Sequence, residues 1–407
     1  MQPSSFKWPA LRIRNVRVLL FAQAISLLTN SIRQITLLWL IYQTSHSPLI
    51  LGIAAFLRDV SGPVTLPLVG VWADRKNPIR IAVATQLVLS VQALVFAQII
   101  HMKVLSLPLI MALIFVFGIL GSADMPIRQM LVPRLVETND HLVSAVAVNA
   151  MIYDGMRIIG PIVAGVVIAR FHEAASFLVG GAGQLLAMAL FSMINVAPHP
   201  SATVPETIPR AFMTGVKYAT SDRAIGNIIA LSICVSFAGA AYMVLLPVVA
   251  EQVIGGGPGA LGFLVSSVAV GALIGGLFFG SRRSSLTQAP LIPVGAALFG
   301  AGLVFFSFCF TLPAAVIGSA VTGFGIMIMM ASCNTTLVRL TPPDKQSRIL
   351  SLFVFSYAVA SPIGSLLFGF AAAHVGSPLA IRVGGCVCVI AGLTFGVRVL
   401  RSLGAAR

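Results

Sequence analysis

The sequence predicts an all-α membrane protein whose twelve transmembrane helices form two pseudo-symmetric six-helix bundles, with both termini in the cytoplasm. Three observations predict this fold class: the composition, the spacing of apolar runs and the placement of basic residues. Hydrophobic residues make up 58% of the 407 residues and charged residues 9%, and the mean hydropathy is +0.99. Because soluble domains carry about 25% charged residues, this chain cannot cover a water-facing surface.

Apolar runs long enough to cross a bilayer, which takes roughly 20 residues, recur twelve times along the chain. The first six spans are predicted at residues 16–43, 48–72, 79–101, 104–124, 141–169 and 175–196. The second six are predicted at residues 224–250, 260–280, 288–311, 313–338, 349–373 and 378–399. The first run exceeds the apolar core of a cleavable signal peptide, so we interpret it as a transmembrane helix.

Basic residues are distributed as a membrane topology requires. A net charge of +15 could indicate a nucleic-acid partner, but such a surface would not place its charges after every second span. With the N-terminus in the cytoplasm, three of the 26 Lys and Arg fall in outside loops, three fall within spans, and the other 20 lie on the cytoplasmic side. This bias follows the positive-inside rule, so the predicted partner is the lipid bilayer and no nucleic acid is expected.

A proline-rich segment at residues 197–223 divides the chain into two bundles, residues 1–196 and 224–407. The halves resemble repeats, since Pro161 in span 5 and Pro362 in span 11 stand at matching positions. The stretch RAFMTGVKYATSD after the prolines predicts a short amphipathic helix on the cytoplasmic face.

Several classes of chemistry have no signature in the sequence. The five cysteines lie in apolar runs without metal-site or redox spacing, so no metal site and no cofactor is predicted. The motifs H-E-x-x-H, G-x-S-x-G and G-x-x-x-x-G-K-[ST] do not occur, which argues against an enzyme and against an ATP-driven motor.

Four stretches carry a family resemblance: ISLLTNSIRQITLLWL in span 1, GVWADRKNPIR between spans 2 and 3, PIRQMLVPRLV after span 4, and RIIGPIVAG in span 5. In the second, Gly70, Asp74 and Arg75 match the G-x-x-x-D-R-x-G-R-[KR] signature of the major facilitator superfamily, Asn77-Pro78 replaces its Gly-Arg, and Arg80 supplies a basic residue at its end. The chain therefore resembles that superfamily, and within it the enterobactin-exporter-like branch of bacterial siderophore and drug efflux proteins. The resemblance implies that Asp74 caps a neighbouring helix and locks the cytoplasmic gate.

The resemblance also implies a function. We expect a monomeric secondary active exporter in the bacterial inner membrane that moves small amphipathic organic molecules, siderophore-like or drug-like, by alternating access. Protons are the expected coupling ion. An importer or facilitator of a small metabolite, or a lysolipid flippase, on the same fold remains the alternative, and the sequence leaves the substrate open.

Polar side chains within apolar spans are the candidate substrate-binding residues, because ionisable or polar groups at bilayer depth are costly and are kept for function. Those predicted to line the cavity are Asn30, Arg33, Gln34, Ser232, Ser236 and Asn334. Arg33 suits carboxylate or oxygen-rich substrates. The alternative, weighed equally, is that Arg33 pairs with Asp59 or Asp154 to hold helices together.

Two pairs of charges are the candidates for proton coupling. Arg58 and Asp59 are adjacent, roughly 100° apart on a helix, so each is expected to need another partner. Asp154 and Arg157 are spaced i, i+3 on one face, and Asp154 either titrates or forms a permanent salt bridge. Span 4, PLIMALIFVFGIL, lacks the arginine of other antiporters, and Arg128 is assigned to the cytoplasmic loop after it.

The helix that carries Asp154 also holds a bend motif. Gly160, Pro161 and Gly165 form the antiporter-type element of the family, since Pro161 removes a backbone hydrogen bond and the glycines admit a close neighbour. The resemblance implies that this element packs against the glycine-rich span 8, VGALIGGLFFG.

Overall fold

A computed structural model describes residues 9–62, 77–122, 124–136, 138–194, 208–282 and 288–405. Within these residues the chain forms helices joined by short turns and contains no strand, so the predicted all-α class is confirmed. After a 3₁₀ turn at Pro9–Arg12, the first helices are α1 (Arg14–Ser45), α2 (Pro48–Asp59), α3 (Pro78–His101), α4 (Leu107–Gly121), α5 (Asp124–Arg134) and α6 (Asn139–Ser192).

The second part of the chain begins with the predicted amphipathic helix. Its helices are α7 (Ile208–Ser221), α8 (Arg223–Val248), α9 (Gly257–Ser281), α10 (Leu291–Phe306), α11 (Leu312–Leu340), α12 (Gln346–Val375), α13 (Ser377–Ala391) and α14 (Val397–Ala405). Two π-helical turns, Val249–Val253 and Gly392–Gly396, extend α8 and α13.

Eight helical segments in the described part of the chain are long and apolar enough to cross a membrane. One of them, Asp140–Ser192, is 53 residues long and contains a non-helical residue, His172, at φ 62° and ψ 177°. That break lies in the predicted loop between spans 5 and 6. Predicted span 2 extends beyond the described residues, and α4 and α10 are shorter, so the count of twelve spans and the side of the termini stay predictions.

Proline and a polar cap set several helix starts. Asn77 Oδ1 accepts a hydrogen bond from the backbone N–H of Ile79 at 2.9 Å, and Pro78 occupies the first turn of α3. Pro fits there because the first turn leaves its N–H groups unpaired in any case. The Asn-Pro pair that departs from the family signature therefore begins a helix.

The first compact unit comprises Met1–Leu40 and Val64–Thr203. Its helices α1, α3, α5 and α6 share a buried apolar cluster, and the buried rings of Phe96 in α3 and Phe177 in α6 stack with their centroids 5.1 Å apart. Polar side chains also lie inside this unit: Ser90 Oγ donates to the carbonyl of Gly181 at 2.9 Å and joins α3 to α6. Interhelical hydrogen bonds of this kind hold apolar helices together where water is absent.

The second compact unit comprises Ile41–Pro63 and Val204–Arg407. Glycines bring its helix backbones together. A Cβ on Gly52 in α2 would lie 2.6 Å from the carbonyl oxygen of Ser365 and 3.1 Å from Gly369 Cα, both in α12. Gly300 and Gly385 make a similar crossing between α10 and α13. Only glycine permits such approach, so these contacts fix the packing of the unit.

Candidate functional site

Arg33, the candidate for anionic substrates, lies inside the first unit and is 9% exposed. Its Nη1 donates to Gln92 Oε1 and its Nη2 donates to Asn30 Oδ1, each at 2.6 Å. Both acceptors are neutral amides. The charge-assisted hydrogen bond to Gln92 ties α1 to α3, and the bond to Asn30 lies within α1.

The other candidate cavity residues divide into two groups. Ser232 and Ser236 in α8 are buried; Ser232 Oγ donates to the carbonyl of Ile229, and Ser236 Oγ donates to the carbonyl of Tyr357 in α12 at 2.7 Å. Gln34 and Asn334 are exposed, and Asn30 is half-buried. Of the candidate cavity residues, only these three have side chains that are exposed or half-buried in this structure.

Arg58 and Asp59 pair with each other. Nε and Nη2 of Arg58 donate to the two carboxylate oxygens of Asp59 at 2.6 and 2.8 Å. The expectation that adjacent residues could not face each other is wrong, because the arginine side chain is long enough to curl back over the end of α2. The side chains are 43% and 35% exposed, so their pairing contributes little to stability.

Asp154 and Arg157 do not form the salt bridge that their spacing allows. Asp154 is half-buried and Arg157 exposed, and within the described residues no ion pair joins them. The part that Asp154 plays in proton coupling stays a prediction.

The bend element lies in the first arm of α6, which is the part of the helix before the break at His172. Gly160 is buried, and a Cβ there would lie 2.5 Å from Ser31 Cβ in α1; Pro161 and Gly165 are also buried within the helix. The glycine-rich span 8 corresponds to α9, where Gly271 and Gly275 press against the backbone of α11. The contacts that the structure gives for Gly160 and for these two glycines lie within their own units.

The gating motif lies mostly outside the described residues, because Gly70, Asp74 and Arg75 fall in 63–76. The fourth member, Arg80, is exposed in the first turn of α3.

A buried ion pair that the sequence did not single out lies in α5. Arg128 Nη2 donates to Asp124 Oδ2 at 2.5 Å, and the two residues are 2% and 5% exposed. Gln86 Nε2 in α3 donates to Asp124 Oδ1 at 2.7 Å, and Arg128 Nη1 donates to Ser26 Oγ in α1 at 3.0 Å. The prediction that Arg128 lies in a loop is wrong, because the structure places it in helix α5, where its side chain is buried.

Further polar groups lie next to this pair. Gln23 Nε2 donates to the backbone carbonyl of Arg128 at 3.4 Å, and Ser26 Oγ lies 3.4 Å from Gln184 Oε1 in the second arm of α6. The signal that could have revealed the cluster was three glutamines within apolar runs, together with the i, i+4 spacing of the acid and the base.

The comparisons with known proteins decide the family. The sequence profile described as "Transmembrane secretion effector" matches residues 5–406. The chain belongs to this family of major facilitator superfamily transporters.

This chain has curated relatives in two bacteria. It is 25% identical over 362 residues to the staphyloferrin A transporter of Staphylococcus aureus (strain NCTC 8325 / PS 47), covering 85% of this chain and 86% of that protein. It is 22% identical over 366 residues to macrolide efflux protein A of Streptococcus pyogenes, covering 87% of this chain and 88% of that protein.

Solved transporters share the fold. A crystal structure of a nucleoside transporter superposes with a TM-score of 0.76 at 12% identity, over 95% of this chain and 100% of that one. A bacterial homologue of the human lysosomal transporter Spinster, inward-facing and unoccupied, gives a TM-score of 0.75 at 13% identity, over 97% and 98%. Because it belongs to this family, the chain is a multi-pass membrane transporter of small molecules and not an enzyme.

Proposed function

We propose that this transporter is a proton-coupled exporter of small amphipathic organic molecules, of the siderophore or drug type, in the bacterial inner membrane. It would work as a monomer of twelve spans with both termini in the cytoplasm. Residues 1–196 and 224–407 would alternate their access around a central cavity, joined by the linker 197–223.

The observation that carries this proposal is the match of nearly the whole chain to a secretion effector family. Two further findings support it. One curated relative is named for a siderophore and another for macrolide efflux, so oxygen-rich organic compounds are the substrate class that both names share. The five cysteines in apolar runs and the missing P-loop motif are compatible with a gradient-driven carrier.

Within this proposal, the candidate site residues have different tasks. The accessible amides of Gln34, Asn334 and Asn30 would contact the substrate, because an exposed amide both donates and accepts hydrogen bonds. The buried Arg33 would position Asn30 through its hydrogen bond.

The motifs taken from the family resemblance would serve the conformational change. Gly70, Asp74, Arg75 and Arg80 would hold the cytoplasmic gate. The buried element Gly160, Pro161 and Gly165 would let α6 bend.

The test uses inside-out membrane vesicles from an efflux-deficient bacterial host that expresses the transporter. We expect a radiolabelled macrolide, or labelled metal-free staphyloferrin A, to accumulate in the vesicles when respiration acidifies their lumen. A protonophore should abolish the accumulation. The matched control is the same vesicle preparation from the host without the transporter.

A comparison with right-side-out vesicles from the same host decides the direction of transport, and the labelled compound that moves decides the substrate class. Accumulation in right-side-out vesicles alone would indicate an importer, and accumulation that a protonophore leaves unchanged would refute proton coupling. If neither compound moves but a labelled lysolipid does, the lysolipid flippase alternative is correct.

A further inference from the structure

The ion pair of Asp124 and Arg128 has unused hydrogen-bonding capacity beside it. Arg128 Nε and Gln23 Oε1 are buried without a hydrogen-bond partner, on residues that are 2% and 0% exposed. A polar atom that is buried without a partner destabilises the folded state. The arrangement therefore leaves one donor and one acceptor available for a second set of hydrogen bonds.

The acceptor lies where Arg128 could reach it. The amide of Gln23 already donates to the backbone carbonyl of Arg128 at 3.4 Å, so its free oxygen belongs to the same contact. An arginine cannot release its proton in a protein, so only Asp124 can change the charge of the pair.

The surroundings of the pair carry no other formal charge among the described side chains that contact it. The side chains that share hydrogen bonds with the pair are Gln23 and Ser26 from α1 and Gln86 from α3, all of them uncharged. When Asp124 is ionised, the cluster is neutral overall. When Asp124 is protonated, the cluster holds the single positive charge of Arg128.

Helix α6 adds one further titratable group. The Tyr153 hydroxyl is buried without a hydrogen-bond partner and lies within electrostatic range of both Asp124 and Arg128. Its neighbour in sequence is the half-buried Asp154. The hydroxyl can both donate and accept, so it offers a relay between the buried carboxylate and the more accessible part of α6.

We propose that Asp124 is the carboxylate that binds the coupling proton, and that Arg128 alternates between Asp124 when it is ionised and Gln23 Oε1 when the proton is bound. This inference rests on the proposed proton-coupled export. Proton binding forms an O–H bond on the carboxylate and frees Arg128 Nη2. When Arg128 returns, the same proton leaves to the cytoplasm, and no other reactant is consumed.

The first experiment measures protonation without any substrate. Purified transporter in lipid vesicles is titrated, and the carboxylic acid C=O stretch is followed by infrared difference spectroscopy. We expect a titrating band in the wild type that is lost in Asp124→Asn and kept in Asp154→Asn. Loss of the band in Asp154→Asn alone, or no titrating band in the wild type, would overturn the inference.

A second pair of variants keeps the inference testable if Asp124→Asn does not fold. Gln23→Leu retains the ion pair but removes the acceptor used in the protonated state, so the midpoint of the band should fall by about one pH unit. Gln86→Glu adds a like charge beside Asp124, so the midpoint should rise by a similar amount. The matched control is Gln98→Leu, at an exposed position of α3, where no shift is expected.

Unshifted midpoints in both Gln23→Leu and Gln86→Glu would refute the role of Asp124. A titrating Asp124 in a transporter whose export ignores the proton gradient would refute the proposed coupling while the proton-binding site stands. The two failures are therefore distinguishable.

Discussion

Single side chains in the first unit stabilise the fold through hydrogen bonds that replace water, and Arg33 makes two of them. Arg33→Met would leave the buried oxygen of Gln92 without its donor. We expect a loss of about 1.5–3 kcal/mol in the free energy of unfolding, as is typical of hydrogen bonds to charged groups. Unfolding in mixed micelles of increasing denaturing detergent measures it.

A double-mutant cycle assigns that loss to the contact itself. Gln92→Leu removes the acceptor, so adding it to Arg33→Met should cost less than the sum of the two single changes. Gln34→Leu, one residue further along α1 and exposed, should change stability by less than about 0.5 kcal/mol. Additive losses of stability would mean that Arg33 stabilises the protein through a contact other than the one with Gln92.

Between helices, backbone contact at glycine decides the packing, and the crossing of α2 with α12 is the sharpest case. Gly52→Ala would place a methyl group 2.6 Å from the Ser365 carbonyl oxygen and 3.1 Å from Gly369 Cα, neither of which can rotate away. Overpacking of this kind costs about 1–3 kcal/mol. We expect the thermal midpoint of the purified protein to fall accordingly.

The matched control for Gly52→Ala lies in the same unit. Gly280 in α9 has no atom within 4 Å of its would-be Cβ. Gly280→Ala should leave the midpoint unchanged or raise it slightly, because alanine has the higher helix propensity. An equal fall of the thermal midpoint in both variants would show that the close contact at the α2–α12 crossing is not the cause of the loss.

The turn inside α6 carries backbone strain at one residue. His172 has φ 62° and ψ 177°, a region that essentially only glycine adopts at no cost. We expect His172→Gly to stabilise the protein by about 1–3 kcal/mol in the same detergent unfolding assay. His141→Gly, in the first helical turn of α6, should instead destabilise by about 1 kcal/mol. A loss of stability in His172→Gly would contradict the strain.

At the scale of the whole molecule, the helices could be predicted from the sequence because their signal is local. Apolar runs begin at residues that start helices, such as Asn77-Pro78 before α3 and Pro48 at the start of α2. The hydropathy that identifies a span is a sum over residues that are adjacent in the chain. The break at His172 falls in the predicted loop between spans 5 and 6 for the same reason.

The polar interior could not be predicted in the same way. Asp124 is held by Gln86, 38 residues earlier, and Arg128 by Ser26, 102 residues earlier, so only the packing of three helices brings them together. A hydropathy window counts Arg128 as a charge next to a span and assigns it to the loop. Likewise the sequence shows that Arg33, Ser232 and Ser236 are polar, but it does not show which side chain or backbone carbonyl accepts their hydrogen bonds.

Topology remains the largest prediction at this scale, and the turns bear on it. In the described chain, every residue with positive φ lies in a connection that the charge pattern assigns to the outside. These residues are His46, Lys103, His172, Gly255, Gly257 and Gly376. These turns are short and tight. They hold few Lys and Arg, as the positive-inside rule requires of loops on the outer side of the membrane.

Reporter fusions test the twelve-span topology directly. Alkaline phosphatase fused after Lys103 or Gly376 should be active, because both positions are predicted outside, where its disulfides form. Green fluorescent protein fused after Arg282, Lys345 or Arg407 should fluoresce, since those positions lie on the predicted cytoplasmic side with most of the basic residues. Exchanging the two reporters at each position should silence both. A phosphatase-active fusion at Arg407 would mean an odd number of spans and would refute the paired six-helix bundles.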